Sequence, residues 1–312
     1  MSTILMTPEH TSALYTGPLR FQMPGHAGAP PLRSGRLSGK VMTKPPRRPR
    51  LKIVQGVAVL TDDDPGVNTT LGWDTVFAVP VANVNDAFAA SKAYPTAFHY
   101  TLQGALTTVT IDGNFGAWEI TAGGSGGLIN VIVPIADGTL TPQGGSALPL
   151  NGASATIQIT LKYLEQTTPP PDADGTPYNL MFNQDGPGSG VQPVVVLSVD
   201  NPNSSDPTVN ALLQAALQAY LNANLQQIAY VFNTVNLNMT AASGAFQWLK
   251  PTTTDYAYYQ DTSGGNQLFG VLCKVLDGSA AGLSNQIAPA AVPQGAQSGF
   301  SISQAMFLQQ MA

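Results

Sequence analysis

The residues able to do covalent chemistry are few and poorly placed for it. The segment GGSGG, residues 123–127, satisfies the nucleophile pattern G-x-S-x-G and offers Ser125 as the attacking group. That pattern requires a strand before the serine and a helix after it, whereas AWEIT and LINVIVPI, on its two sides, both have strand composition. His99 is the one histidine after residue 52, and it lies in the strand-like AFHYT, so no base is provided for the serine. We therefore predict a hairpin loop at 123–127 and a protein that is not an enzyme.

The sequence also offers little for a metal or a cofactor. TDDDPG (61–66) and PDADG (171–175) lack the spaced ligands and the distal Glu of a calcium loop, and Asp before Pro or Gly is typical of turns. GGSGG lacks the lysine of a phosphate-binding loop. Cys273 is the single cysteine, which excludes a disulfide within the chain and a zinc site built from several cysteines. We predict no metal site and no cofactor.

Charge divides the 312 residues into two regions. Residues 1–52 carry nine of the 13 Lys and Arg and one acid, a net charge of +8, while the other 260 residues carry four bases and 17 acids, a net charge of −13. The first region is rich in Pro, Gly and Arg and has no periodicity, which predicts a disordered basic arm over 1–52. Contact of the arm with nucleic acid or anionic lipid, and translation from Met42, are left open as alternatives.

No secretory signal or membrane span is predicted. Residues 1–19 lack an uninterrupted apolar core, and no run of about 18 apolar residues occurs in the chain. The cytoplasm is therefore the default location, with release by a route that uses no cleaved signal as the alternative.

Most of the chain after residue 52 consists of short runs rich in Val, Ile, Thr and Ala between turn residues, which predicts strands. The run SATIQITLKYL (154–164) places Ile157, Ile159 and Leu161 on one face and polar residues on the other, as in an antiparallel strand with one buried face. The tyrosines of DYAYYQD (255–261) form either an aromatic binding wall near Trp248 or part of a sheet core.

Two helices are predicted from stronger signals. In LGWDTVFAVPVANVNDAFAA (71–90) the strand TVFAVP passes at Pro80 into a helix over about 81–92, because proline cannot continue strand pairing and suits a first helical turn. The second helix has Asp206 as its N-cap and Pro207 at its first position. Its apolar residues recur at spacings of three and four, which predicts a helix of about 22 residues over 207–229.

The apolar faces of these helices carry the candidate ligand-binding residues. We expect them to line an apolar groove, and the residues assigned to it are Phe88, Leu213, Leu217, Tyr220 and Leu221. The same residues fit a plain hydrophobic core equally well.

The polar face of the second helix carries amides and, after Asp206, no charge. Exposed helix faces usually mix Lys and Glu. An uncharged face indicates either contact with a partner or the low charge of the whole body. If a partner docks here, Glu in place of Gln218 and Asn222 is expected to abolish binding and leave the fold intact.

These elements predict an α+β fold. Long amphipathic helices would lie along a highly curved antiparallel sheet and bury one face in its concavity. The predicted organisation is the arm at 1–52, a helix-and-curved-sheet domain at 53–299, and at 300–312 the start of a further helix that is cut off.

Four segments resemble the clostridial P47/OrfX-like family, which is encoded beside botulinum neurotoxin genes: GWDTVFAVPVANVNDAF (72–88), NLQQIAYVFNTVNLN (224–238), DYAYYQD (255–261) and SGFSISQAMFL (298–308). The resemblance covers about residues 68–312. It implies membership of the tubular lipid-binding (TULIP) superfamily, in which two halves, each a long helix wrapped by a highly curved sheet, form an elongated apolar groove. It further implies lipid binding or an accessory role beside a toxin, and it supplies no catalytic residues.

Three functions fit this sequence, and the first is preferred. It is the binding of a lipid or another hydrophobic small molecule, since burying ten methylene groups yields about 8 kcal/mol before ordering costs. The second is a structural or coat-like protein whose basic arm holds nucleic acid. Coat proteins of this kind are eight-stranded jelly rolls, which rarely contain a long helix. Nucleic acid is therefore not an expected partner. The third is an accessory protein that acts through a protein partner or a second half-chain, with peripheral membrane contact as a further expectation.

Overall fold

The computed structural model describes residues 19–20, 51–54, 57–60, 70–104, 107–168, 175–185, 192–237, 239, 247–275 and 278–311. Within these ranges the chain forms 16 strands and three α-helices. The strands are β1 (Leu19–Arg20), β2 (Leu51–Val54), β3 (Val57–Leu60), β4 (Thr75–Pro80), β5 (Ala97–Gln103), β6 (Thr108–Phe115), β7 (Glu119–Ser125), β8 (Leu128–Pro142), β9 (Leu148–Pro149), β10 (Ser154–Glu165), β11 (Thr176–Phe182), β12 (Val194–Asp200), β13 (Asn233–Leu237), β14 (Pro251–Gln260), β15 (Gln267–Val275) and β16 (Gly299–Ile302). The helices are α1 (Val81–Ser91), α2 (Pro207–Ala223) and α3 (Gln304–Met311).

The strands form one large sheet and two small ones. The large sheet has the order β1-β13-β11-β10-β8-β6-β5, with β12 also paired to β10 and with β7 and β9 also paired to β8. A second sheet has the order β14-β15-β4-β16, and β2 pairs with β3 alone. Every pairing between these strands is antiparallel except that of β1 with β13.

Strand β8 joins the two parts of the large sheet. Its first half pairs with β10 and its second half with β6, so the sheet turns along this strand. Where β6 and β8 come closest, Gly113 faces Gly138, and a Cβ atom on Gly113 would lie 2.6 Å from the Cα atom of Gly138. Glycine is required at this point because the two backbones approach too closely for a side chain.

The main hydrophobic core lies between the large sheet and helices α1 and α2. Strand β10 alternates buried and half-buried residues, and Ile157 and Ile159 are buried as the sequence pattern predicts. Phe88 of α1 lies among aromatic rings, with ring-centroid distances of 4.7 Å to Tyr230 and 5.0 Å to Tyr94. Burial of large aromatic side chains is the main stabilising contribution of such a core.

The GWD segment, residues 72–74, precedes strand β4 and fixes its position in the second sheet. Trp73 is buried and its indole Nε1 donates to the Ser284 carbonyl oxygen at 3.0 Å. The Asp74 carboxylate accepts from Lys274 Nζ at 2.6 Å and from the Val275 amide at 2.9 Å. Gly72 has φ +89°, a left-handed conformation that favours glycine. The motif that carries the family resemblance therefore ties strand β4 to β15 and to the loop at 284.

The predicted α+β fold with long amphipathic helices is wrong. The described residues are mostly β, with a curled antiparallel sheet and three short helices of 11, 17 and 8 residues. The predicted helix over 207–229 ends at Ala223, because Asn224 Nδ2 donates back to the Tyr220 carbonyl oxygen at 2.8 Å and closes the last turn. Beyond it, hydrogen bonds from Ala229 N to the Ala93 carbonyl oxygen and from Phe232 N to the Leu180 carbonyl oxygen draw the chain onto other elements.

Several local predictions are confirmed. Strand β4 ends at Pro80 and α1 begins at the next residue, and α2 begins with Asp206 as its N-cap and Pro207 at the first position. The predicted domain bounds at 53–299 and 300–312 stay a prediction; in this region α3 follows strand β16, with Met306 buried and Phe307 exposed. Most of the predicted arm over 1–52 lies outside the described residues, apart from β1 and the first residues of β2.

Candidate binding site beside helix α2

Helix α2 is held in place by its first turn and by its apolar face. The Asp206 carboxylate accepts from the Thr208 amide at 2.8 Å, which satisfies one of the free N–H groups at the helix start. Its buried residues face the main core. The helix contacts β5 and β6 on one side and β12 on the other.

The structure brings all five predicted ligand-binding residues into the same core. Phe88, Leu213, Leu217, Tyr220 and Leu221 are buried and belong to one hydrophobic cluster. Tyr220 lies at the edge of this cluster, where its hydroxyl donates to the Ala97 carbonyl oxygen at 2.8 Å, and burial raises its pKa. Their contact with a ligand stays a prediction.

Two polar atoms inside this core have no hydrogen-bond partner among the described residues. They are the indole Nε1 of Trp118 and the hydroxyl of Tyr230. Both rings are near Phe88, with ring-centroid distances of 6.4 Å for Trp118 and 4.7 Å for Tyr230. Burial raises the pKa of Tyr230 to about 12, so its hydroxyl stays protonated and able to donate at neutral pH. Leaving such a group unpaired costs about 1–3 kcal/mol, so the region could accept a polar atom of a ligand.

The uncharged polar face of α2 covers the edge of strand β12. Gln214 Nε2 donates to the Val196 carbonyl oxygen at 2.7 Å, and Gln218 Oε1 accepts from the Val196 amide at 3.1 Å. Asn222 binds Val194 in the same way, donating to its carbonyl oxygen at 2.7 Å and accepting from its amide at 3.3 Å. These three amides lie four residues apart, so they form one row along the helix. Glu at Gln218 and Asn222 would therefore disturb the fold as well as any partner contact.

Two clefts open beside α2. Cleft 1 has a volume of about 540 Å³ and lies at the C-terminal end of the helix; its lining includes His99, Asp112, Asn114, Asp137, Tyr220 and Gln227. Cleft 2 has a volume of about 510 Å³ and lies along the outer side of the helix; it is lined by Tyr100, Gln192, Ala215, Gln218, Ala219, Asn222 and Ala223. Among the described residues, neither cleft has Lys or Arg in its lining. Of the predicted ligand-binding residues, Tyr220 lines cleft 1, whereas neither cleft lining includes the other four.

The acidic side chains in cleft 1 are Asp112 and Asp137. His99 Nδ1 lies 2.8 Å from Asp112 Oδ2, and Asn114 Nδ2 donates to Asp137 Oδ1 at 2.8 Å. Sequence reasoning missed this cleft, because Asp112 and Asp137 meet only through the pairing of β6 with β8. Gln227 joins them only because α2 packs against β5 and β6. The described residues contain no group of three or more His, Cys, Asp and Glu side chains placed to hold a metal ion.

The GGSGG segment is a hairpin, as predicted, and it joins the two main sheets. Strand β7 ends at Ser125 and β8 begins at Leu128. The Tyr258 amide donates to the Gly126 carbonyl oxygen at 2.7 Å, and the Tyr256 hydroxyl donates to the Gly127 carbonyl oxygen at 2.7 Å. Burial raises the pKa of Tyr256 to about 12, so this hydroxyl stays a donor at neutral pH.

The remaining predicted features have structural roles or lie outside the described residues. Tyr256 and Tyr258 are buried sheet residues, which settles the choice between binding wall and core for these two. Burial raises the pKa of the Cys273 thiol to about 11, so it is protonated at neutral pH. TDDDPG (61–66) and all but the last residue of PDADG (171–175) lie outside the described ranges. None of the described helices is both long and apolar enough for a membrane crossing.

Comparison with known proteins points to one family. A family model described as OrfX-like, Protein OrfX2/OrfX3/P47, matches residues 70–312. Protein OrfX3 of Clostridium botulinum (strain Kyoto / Type A2) is 31% identical over 262 residues, which cover 76% of this chain and 52% of the relative. Protein OrfX3 of Paraclostridium bifermentans is 28% identical over 260 residues, which cover 75% of this chain and 51% of the relative.

Solved structures of similar fold are P47 from Clostridium botulinum A2 and P47 of Clostridium botulinum E1. Their TM-scores are 0.63 and 0.61, each at 20% sequence identity, and each match covers 77% of this chain and 54% of the other. At this identity the match shows a shared fold. The chain thus spans about half the length of the relatives and structures that it matches.

Proposed function

This chain belongs to the OrfX-like family, and on that premise we propose that it is a non-enzymatic accessory protein that acts by binding a protein partner beside helix α2. The accessory role in a toxin-type gene cluster, which the family resemblance implies, is part of this proposal. So is the cytoplasm as the place where the chain meets that partner.

The observation that carries the proposal is the position of the two clefts. They open beside one helix, and each has a volume within the range of about 300–1,000 Å³ that is usual for binding pockets. The outer side of that helix carries small side chains, among which Ala211, Ala215 and Ala223 are exposed. Small residues let the backbone of a partner approach closely, and the described lining residues, which include no Lys or Arg, favour neutral or cationic groups.

The test is a pull-down with the products of the neighbouring genes. Ala215→Glu with Ala223→Glu places two charges in cleft 2 at exposed helix positions, where Glu is a good helix former. We expect partner binding to fall by about tenfold or more, since two charges would be desolvated without a counter-ion. Ala211→Glu is the matched control, because Ala211 is exposed on the same helix but lines neither cleft. Equal binding by both variants would refute the proposal.

A second candidate function is the binding of a lipid or another hydrophobic molecule in the core around Phe88. The observation that favours it is the pair of unpaired polar atoms, Trp118 Nε1 and the Tyr230 hydroxyl, in an otherwise apolar aromatic cluster. A molecule with an apolar body and one polar end would hydrogen-bond there while burying its carbon chain. It would have to displace packed side chains, because the residues predicted to line a groove are buried against their neighbours.

Native mass spectrometry of the full chain, purified without detergent, tests this second function. Bound lipid at a defined stoichiometry, reduced in Tyr230→Phe and unchanged in Tyr178→Phe, would support it. Tyr178 is a half-buried residue of β11 and serves as the control for the loss of a hydroxyl. A bare chain that also ignores liposomes of anionic and neutral lipid would exclude both lipid binding and peripheral membrane contact.

A further inference from the structure

Strand β5 ends the described order of the large sheet and pairs with β6 only. The hydrogen bonds at its two ends fix which residues face β6. Gly104 N donates to the Thr107 carbonyl oxygen at 3.0 Å, and Phe115 N donates to the Thr96 carbonyl oxygen at 2.9 Å. In an antiparallel pair such residues alternate along the strand, so 98, 100 and 102 bond to β6 and the odd-numbered residues point away.

The outward groups of β5 form an open backbone edge. At its start the Ala97 carbonyl oxygen accepts from the Tyr220 hydroxyl at 2.8 Å. Beyond that point the backbone N–H and C=O groups of His99, Thr101 and Gln103 have no hydrogen-bond partner among the described residues. All three residues are exposed.

Natural proteins protect such an edge with Lys, Pro, a bulge or a covering element. Strand β5 has no Lys or Pro and its pairing with β6 runs without a register shift. The edge of β12, on the other side of α2, is covered by three amide side chains. The β5 edge therefore differs from the β12 edge on the other side of the same helix.

The open edge lies in a groove between β5 and α2. Tyr100 on β5 and Ala215, Ala219 and Ala223 on α2 line cleft 2. Ala97, Phe98 and His99, at the start of the strand, line cleft 1. A polypeptide that paired with β5 would therefore run along cleft 2 and reach the β5 end of cleft 1, beside His99 and Asp112, with Asp137 of β8 two strands further in. Its alternate side chains would point to the helix and to the outer face.

The acidic residues of cleft 1 favour a positively charged side chain on a polypeptide that pairs with β5. Asp112 and Asp137 lie in its lining, and each has one carboxylate oxygen that binds a neighbour, Asp112 to His99 and Asp137 to Asn114. The second oxygen of each carboxylate has no partner among the described residues. Since the part of the lining that the structure describes has no Lys or Arg, the cleft favours a guanidinium or ammonium group.

We propose that the β5 edge accepts an extended segment of a partner protein as an added strand, with a Lys or Arg side chain of that segment seated in cleft 1. A row of alternating N–H and C=O groups is matched only by another extended backbone, which is how strand addition gains affinity, while the clefts supply specificity. The inference rests on the proposed function of partner binding beside α2 and names the site and chemistry of the partner.

Residue-resolved hydrogen exchange on the full chain tests the proposal. The probe is a nine-residue peptide, acetylated and amidated, that alternates Thr and Val and has Lys at its centre. In the free protein we expect fast exchange at the amides of His99, Thr101 and Gln103 and slow exchange at Tyr100 and Leu102. With the peptide bound, exchange at the three odd positions should slow by about tenfold or more, because their N–H groups become hydrogen-bonded.

Variants of the peptide and of the chain separate the two parts of the proposal. Glu in place of the central Lys should weaken binding by about tenfold, and Asp112→Asn with Asp137→Asn should remove this preference. Thr101→Pro should abolish binding, since it removes an outward N–H and leaves the bonds to β6 in place, whereas Thr101→Ala keeps the N–H and should bind. Methylation of alternate backbone nitrogens of the peptide gives the same test without changing the protein.

The other outcomes overturn the proposal. Slow exchange at the odd positions in the free chain would mean that the edge is already occupied, by a second copy if it depends on concentration and by this chain's own segment if it does not. Peptide binding that is insensitive to Thr101→Pro and to backbone methylation would exclude strand addition. A partner that is lost with Ala215→Glu and Ala223→Glu but binds Thr101→Pro normally would leave the proposed function standing and refute this inference alone.

Discussion

Helix α2 lies between two strand edges, β12 and β5, and closes only one of them. Toward β12 it presents Gln214, Gln218 and Asn222, whose amides bond to the backbone of Val194 and Val196. Toward β5 the one hydrogen bond from α2 to the strand backbone, among the described residues, comes from the Tyr220 hydroxyl. Amide side chains offer a donor and an acceptor each, so a row of them can replace a neighbouring strand.

The difference between the two sides of α2 shows what an uncharged helix face can contact. Exposed helices usually carry mixed charge, and amides at a spacing of four indicate a face that meets other polar groups. Here those groups are the backbone of the same chain. The alanine side of the helix, with Ala215, Ala219 and Ala223, lines cleft 2 beside the β5 edge.

Proline substitution should give the largest difference in stability between the β12 edge and the β5 edge. Val196→Pro in β12 removes the N–H that binds Gln218 Oε1 and should cost about 2–4 kcal/mol of folding free energy, because a buried residue loses a hydrogen bond and leaves an acceptor unpaired. Thr101→Pro in β5 removes an exposed, unpaired N–H and should cost less than about 1 kcal/mol. Urea unfolding of both variants measures the difference. Equal costs would mean that the two edges are not distinct.

Removing the amide row has the next largest effect. Gln218→Leu with Asn222→Leu deletes three bonds to the β12 backbone and should cost about 2–3 kcal/mol, since the edge N–H and C=O groups are left partly buried. The matched change on the other side, Ala215→Gln with Ala223→Gln, alters exposed positions and should change stability by less than about 0.5 kcal/mol. Thermal unfolding of the two double variants compares the sides directly. A larger loss for the alanine pair would contradict the assignment of the closed edge.

Sequence patterns predicted the local elements of α2 but not its surroundings. Asp206 and Pro207 set its start through chemistry that lies within three residues. Asn224 closes its last turn at Ala223, but the path of the chain beyond that point depends on bonds between Ala229 and Ala93 and between Phe232 and Leu180, which no local pattern contains. The predicted length of about 22 residues for this helix led to the wrong fold class, because it favoured a fold built on long helices. The described residues are mostly β.

The same distinction applies to the candidate site. Periodicity correctly placed Leu213, Leu217 and Leu221 on the inner face of α2, and they are buried. It could not show that Gln218 faces β12, nor that Asp112 and Asp137 share a cleft, because both depend on strand register. Register is set by the pairing of whole strands, and a shift of one residue would reverse every side chain.

Loss of the Tyr220 hydroxyl should have the smallest effect on the free energy of unfolding, and it tests the contact between α2 and the β5 edge. Tyr220→Phe deletes the one bond from α2 to the outward groups of β5, and removal of a single hydrogen bond should cost about 1 kcal/mol at pH 7. Burial raises the pKa of Tyr220 in the folded chain above the ordinary value of about 10. Its contribution is therefore fully present below pH of about 10 and is lost as the pH rises through the folded pKa.

The stability difference between the unmodified chain and Tyr220→Phe should accordingly shrink above pH of about 10. Other buried tyrosines, such as Tyr230 and Tyr256, titrate in both proteins and cancel in the difference. Tyr178→Phe is the control, because its hydroxyl has no hydrogen bond to a described residue, and it should show no loss at pH 7. Urea unfolding between pH 7 and pH 11 measures all three chains. If the Tyr220 difference grew with pH, the hydroxyl would not be the donor that holds α2 to the β5 edge.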